Sequence, residues 1–133
     1  LKGGGDAVAE HAVTAATSSE HFDELLADAA ARGVPVVVDF SATWCGPCQQ
    51  IAPKYEAMAA QFQQAKFVKV DVDICKELSQ SYGVSSMPTF KMIRGGKVVD
   101  EMNGADENAL KEKIQGLAGK ADRWASAGSA RQI

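Results

Sequence analysis

Residues Val34 to Phe40 read "VPVVVDF", a β-branched run with almost no alternation of polar and apolar positions, and the chain passes directly from it into "SATWCGPC". No other stretch restricts the fold as strongly. A strand that does not alternate is covered on both faces, which is the situation of a central strand in a sheet flanked by helices. Gly46 and Pro47 then make a tight turn, and a helix is expected from Cys48 to about Gln63. Its apolar face is Ile51, Tyr55, Met58, Ala59 and Phe62, and Pro53 is a point of kinking.

The other elements fall around this unit. Ser18 or Ser19 caps a helix along which Phe22, Leu25, Leu26, Ala29 and Ala30 recur at helical spacing until Gly33 stops it. "KFVKVDVD" alternates as a strand does, and Cys75 to Tyr82 reads as a short helix closed by Gly83. "TFKMIRGGKVVDEM" is a β-hairpin whose turn residues, Gly95 and Gly96, accept positive φ. Asp106 caps a last amphipathic helix through Leu110, Ile114 and Leu117. The early βαβ order implies parallel pairing and the hairpin adds antiparallel strands. The expected class is therefore α/β, a mixed central β-sheet with helices on both faces.

Residues 18–119 are expected to form the domain. Residues 1–17, with the run Gly3, Gly4, Gly5 and a short strand from Val13, read as a flexible or accessory extension, and residues 120–133, with Trp124, as an accessory helix or loose tail. A length of 133 residues suits one domain with a real core. The composition, 46% hydrophobic and 23% charged with a formal net charge of −3, is that of a globular protein without a basic run, which argues against nucleic acid. The apolar stretches are short and broken by charge, so no membrane span is expected. The chain starts at Leu1 rather than Met and shows no signal core, so a removed transit or signal peptide stays open. Its three cysteines cannot all pair within the chain, which fits a reducing compartment better than a secreted scaffold.

Cys45 stands where a central strand hands over to a helix, so unpaired N–H groups and the positive end of the helix dipole favour its thiolate. About 1.4 kcal/mol of such stabilisation lowers a pKa by one unit. An exposed, acidic Cys45 sulfur with Cys48 one turn behind implies thiol–disulfide exchange: Cys45 attacks a target disulfide and Cys48 displaces the reduced target. Other uses of a CxxC pair fit less well. Zinc needs four ligands, and the remaining candidates, Cys75, His11 and His21, lack finger spacing. Haem attachment requires His where Gln49 stands. An inert structural disulfide is possible, though a Gly-Pro turn at a helix start is an odd place for one. Asp39 within the apolar run is either buried, which raises its pKa, or turned to solvent at the strand end.

"WCGPC" after "VDFSAT", Pro53 in the following helix, "KVDVD", "MPTF", and "GG" before "NGA" resemble the thioredoxin family in order and spacing over roughly Ser18 to Gly119. The resemblance implies the thioredoxin fold and a monomeric, cofactor-free protein-disulfide reductase working through a Cys45/Cys48 dithiol–disulfide cycle. It implies disulfide-containing target proteins and thioredoxin reductase as partners. It also gives roles to residues: Asp39 accepts a proton from Cys48, Lys69 neighbours Asp39, and the Met87–Pro88 bond is cis and packs on the cysteine pair. Trp44, Gly46, Pro47, Met87, Pro88, Gly104 and Ala105 become the contact face for targets, with the Met87 backbone pairing to an extended segment. "SATWCGPC" is similar to the cytosolic type of animals and plants, which implies a cytoplasmic location. Cys75 matches an extra cysteine of some animal thioredoxins; a quiet, buried or half-buried thiol is expected, with a regulatory or dimer-forming role as the lesser reading. His21 is expected to face solvent. Two other uses of the fold stay in view. A disulfide isomerase or oxidase is disfavoured by Pro47 in place of His, and a non-catalytic interaction module by intact Cys45, Cys48, Asp39 and Pro88.

Overall fold

The computed structural model describes residues 13–117. Strands β1 (Val13–Ala16), β2 (Val36–Ser41), β3 (Lys66–Asp71), β4 (Thr89–Arg94) and β5 (Lys97–Asn103) form one sheet in the order β1-β3-β2-β4-β5. The helices are α1 (Ser19–Ala31), α2 (Gly46–Gln61), α3 (Lys76–Ser81) and α4 (residues 107–117). β1 and β2 both run parallel to β3, whereas β4 is antiparallel to β2 and β5 to β4. This is the mixed sheet expected from the sequence, with β2 at its centre and every residue of that strand buried. β1 precedes Ser18, in the stretch read from sequence as an extension, yet its pairing with β3 makes it an edge of the sheet.

Strand alternation sorts the core into two layers. Val37, Phe67, Phe90 and Met92 face Ile51, Tyr55 and Met58 of α2 and Leu110, Ile114 and Leu117 of α4. Val36, Val38, Phe40, Val68 and Val70 face Phe22 of α1 and Leu78 of α3. A double-sided core of this kind is why "VPVVVDF" carries no polar alternation. The Tyr55 hydroxyl lies 3.0 Å from the Val37 carbonyl and 2.8 Å from the Val68 carbonyl, so its one proton is shared between β2 and β3. Burial holds that phenol neutral, with its pKa well above the usual value.

The ends of the elements follow local chemistry. Ser18 accepts the His21 N–H at 3.0 Å and caps α1, and Asp106 accepts the Ala109 N–H at 3.0 Å and caps α4. Gly95 and Gly96 take φ of 59° and 82°, the pair of positive values a two-residue type I′ hairpin turn requires. Two expectations are corrected. α2 starts at Gly46 instead of Cys48, because a proline in a first helical turn gives up only an N–H that has no partner there. His21 is half-buried rather than solvent-facing: its ring folds back so that Nδ1 accepts the Thr17 N–H at 3.1 Å. The triple glycine, His11 and Trp124 lie outside the described residues.

Candidate active site

The site is assembled where β2 ends. After Ser41 the backbone turns, the Cys45 N–H donates to the Ala42 carbonyl at 3.2 Å, and α2 begins. Cys45 is the N-cap of that helix, with its Sγ accepting the Cys48 N–H at 3.1 Å. Cys45 and Cys48 are disulfide-bonded, their Cα atoms 5.2 Å apart. A sulfur in this position faces helix N–H groups and the positive end of the dipole, both of which favour its anionic form once the bond is reduced.

The cysteine pair is recessed. Cys45 is 5% exposed and Cys48 3%, and with Ala42 they form a small cluster against Val72 and Met87. The exposed Cys45 sulfur expected from sequence is thus corrected, for a capping side chain folds over its own first turn and the Met87 loop lies across it. Cys45 Sγ is 3.6 Å from the Met87 carbonyl oxygen. The Met87–Pro88 bond is cis. The Gly104 N–H donates to the Pro88 carbonyl at 2.9 Å, which joins Gly104 and Ala105 to the same rim. Gly46 and Pro47 are exposed beside it, as is Trp44.

Asp39 lies below this rim. It shares the α2-facing side of β2 with Val37 and Ser41, is 1% exposed, and neither of its carboxyl oxygens has a hydrogen-bond partner. Burial pushes its pKa from 3.8 up to about 7, against the opposing pull of the Lys69 ammonium. Lys69 stands directly across from Asp39 in the β2–β3 register and is half-buried. The solvent-turned alternative for Asp39 is excluded. Cys75 is buried with Sγ 3.9 Å from the Ala16 carbonyl oxygen, and burial followed by the Asp71 charge raises its thiol pKa. Among the described residues no three metal-ligating side chains come together.

The sequence pattern described as Thioredoxin matches residues 13–116. The chain belongs to the thioredoxin family. It is 48% identical to a thioredoxin of Geodia cydonium over 95 residues, which cover 71% of this chain and 88% of that protein. It is 40% identical to a thioredoxin H-type of Oryza sativa subsp. indica over 121 residues, 91% of this chain and 99% of the other. Among solved structures, Fasciola hepatica thioredoxin superposes with a TM-score of 0.74 at 42% identity, covering 77% of this chain and 96% of that one. A poplar thioredoxin h superposes with a TM-score of 0.77 at 37% identity, covering 79% and 95%. With its cysteine pair at the family's active-site position, this thioredoxin is a thiol–disulfide oxidoreductase of the protein-disulfide reductase kind. No helix among the described residues is long and apolar enough to cross a membrane.

Two supports of the thioredoxin site were not read from the sequence. The Trp44 indole N–H donates to Asp73 Oδ2 at 2.8 Å, which fixes the ring on the rim. The Gln49 amide donates to the Thr43 carbonyl at 3.1 Å and ties the loop before Cys45 to the helix after it. Both join residues whose pairing depends on the folded loop. The only trace in the sequence is the second aspartate of "DVD", which a strand alone does not need.

Proposed function

We propose that this thioredoxin reduces target disulfides with Cys45 as the nucleophile and Cys48 as the resolving thiol. The observation that carries the assignment is the Cys45 sulfur at the helix N-cap, accepting the Cys48 N–H and one turn from the Cys48 sulfur. In the reduced protein the Cys45 thiolate attacks one sulfur of the target disulfide. The S–Cys45 bond forms, the target S–S bond breaks, and one target sulfur leaves as a thiolate. The Cys48 thiol then loses its proton and attacks the Cys45 sulfur, which releases the second target sulfur. Two electrons have passed to the target, and Cys45 and Cys48 are left as a disulfide.

Asp39 is the acceptor for the Cys48 proton. A carboxyl with a pKa of about 7 is part ionised near neutrality and takes a proton without holding it too tightly. Lys69 opposite it keeps the carboxylate within reach of physiological pH. Trp44, Gly46, Pro47, Met87, Pro88, Gly104 and Ala105 form the face on which the target lies, with the Met87 backbone as the docking edge. The partners are disulfide-containing proteins as substrates and thioredoxin reductase as the electron source. The working form is a monomer in the cytoplasm that needs no cofactor, and the catalytic unit is the domain over residues 18–119 together with β1.

Turnover of a model protein disulfide with thioredoxin reductase tests the assignment. Cys45→Ser abolishes turnover, and Cys48→Ser accumulates a mixed disulfide between Cys45 and the target. Retained turnover in Cys45→Ser, or a target trapped on another cysteine, contradicts it.

A further inference from the structure

The large apolar side chains exposed on the described surface are Trp44, Ile74, Val98 and Val99. Val98 and Val99 lie on the outer strand β5. Trp44 and Ile74 belong together: they are 67% and 71% exposed, and Asp73, which holds the Trp44 indole, is the residue before Ile74. Asp71 Oδ1 accepts the Asp73 N–H at 2.8 Å and lies 3.4 Å from the Ile74 nitrogen, so the segment carrying Ile74 is pinned.

Beside Ile74 a groove of about 500 Å³ runs between the end of β1 and the loop before Cys45, lined by Ala16, Ala42, Thr43, Gln49, Lys69 and Ile74 among others. It lies on the β1–β3 side of the start of α2. The Met87–Pro88 turn and Gly104–Ala105 lie on the opposite, β4–β5, side. Some of the polar groups on the groove are held within the fold. The Gln49 amide is spent on Thr43, Asp71 Oδ1 on its own turn, and Lys69 faces Asp39 across the strands. Ala15, Ala16, Ala42 and the Ile74 side chain supply the apolar part of its lining.

We propose that this groove is a second docking subsite for target proteins, taking an apolar side chain that flanks the reactive cysteine, with Ile74 as its specificity-determining residue. The inference rests on the reductase reading above. The occupant is a target polypeptide because the surface is continuous with the rim: Thr43 in the groove precedes Trp44, and Trp44 precedes a cysteine only 5% exposed. A target that brings its disulfide down to that recessed sulfur lays chain across both sides of Trp44. Leucine-sized side chains reaching the groove would cover Ile74, and burial of apolar surface of that size changes affinity by about tenfold.

The test uses the full chain, thioredoxin reductase and a set of peptide disulfides. In each peptide one serine within five residues of the reactive cysteine, on either side, is replaced by leucine. At one position leucine lowers KM about fivefold to tenfold relative to the serine peptide, and Ile74→Asp erases that ratio while Val99→Asp keeps it. The ratio between two peptides cancels any change in the cysteine pair common to both. If no leucine position gains, or if the gain survives Ile74→Asp, the subsite is refuted. If the unmutated chain fails to turn over even the serine peptides, the reductase assignment itself has failed, a distinct result that removes the subsite with it.

Discussion

Asp39 carries a charge problem that can be read in stability as well as in catalysis. Its pKa rises from 3.8 in the unfolded chain to about 7 in the fold, so between those pH values the native protein holds a proton that the unfolded chain has released. Stability is therefore greatest below about pH 4 as far as this group is concerned, and falls as pH rises towards 7, by up to roughly 1.4 kcal/mol per unit or about 4 kcal/mol in all. Asp39→Asn is expected to remove that slope and to be more stable than the parent at pH 8, as measured by urea denaturation across pH 4–8; parallel curves for the two proteins would count against a buried, ionisable Asp39. If Asp39 is the proposed acceptor for the Cys48 proton, the same variant is expected to slow release of the target from the mixed disulfide above pH 7, as followed by quenched-flow trapping of the mixed disulfide. Tyr55 makes a second case. Tyr55→Phe leaves the β2 and β3 carbonyls without the hydroxyl and is expected to cost about 1–2 kcal/mol in denaturant midpoint. Asp39 was legible as an anomaly within an apolar run. Tyr55 was legible only as a member of a helix face, because nothing in a spacing pattern says where a hydroxyl ends.

Elements whose signals are local came through clearly. Ser18, Asp106 and the Gly95–Gly96 turn each act on backbone groups within a few residues, so the residue type and its position suffice. No atom stands within 4 Å of a Cβ added at Gly96, so Gly96→Ala meets only the left-handed backbone at φ 82°. It is expected to cost about 1–2 kcal/mol, seen as a lower Tm with the fold retained. The sequence puts the start of α2 two residues late because Pro47 reads as a breaker, although a first helical turn tolerates it. β1 was weak for another reason. "VTAA" is only four residues long, half of them alanine, and is a strand through its pairing with β3. The Trp44–Asp73 bond spans 29 residues and depends on two loops meeting, so no local rule reports it.

At the scale of the whole molecule, the sheet order places β2 in the middle and gathers the start of α2, the turn before β4 and the end of β5 at one end of the strands. This convergence recesses the Cys45 sulfur while pointing helix N–H groups at it, which is the physical basis of the proposed nucleophile. The most direct test is the pH dependence of alkylation of the reduced protein by iodoacetamide, with each modified cysteine identified by mass spectrometry. Cys45 is expected to react first and to titrate well below the value of about 8.5 for a free thiol, with Cys48 and Cys75 protected. A Cys45 that titrates like a free thiol, or a Cys48 that reacts ahead of it, would contradict the account.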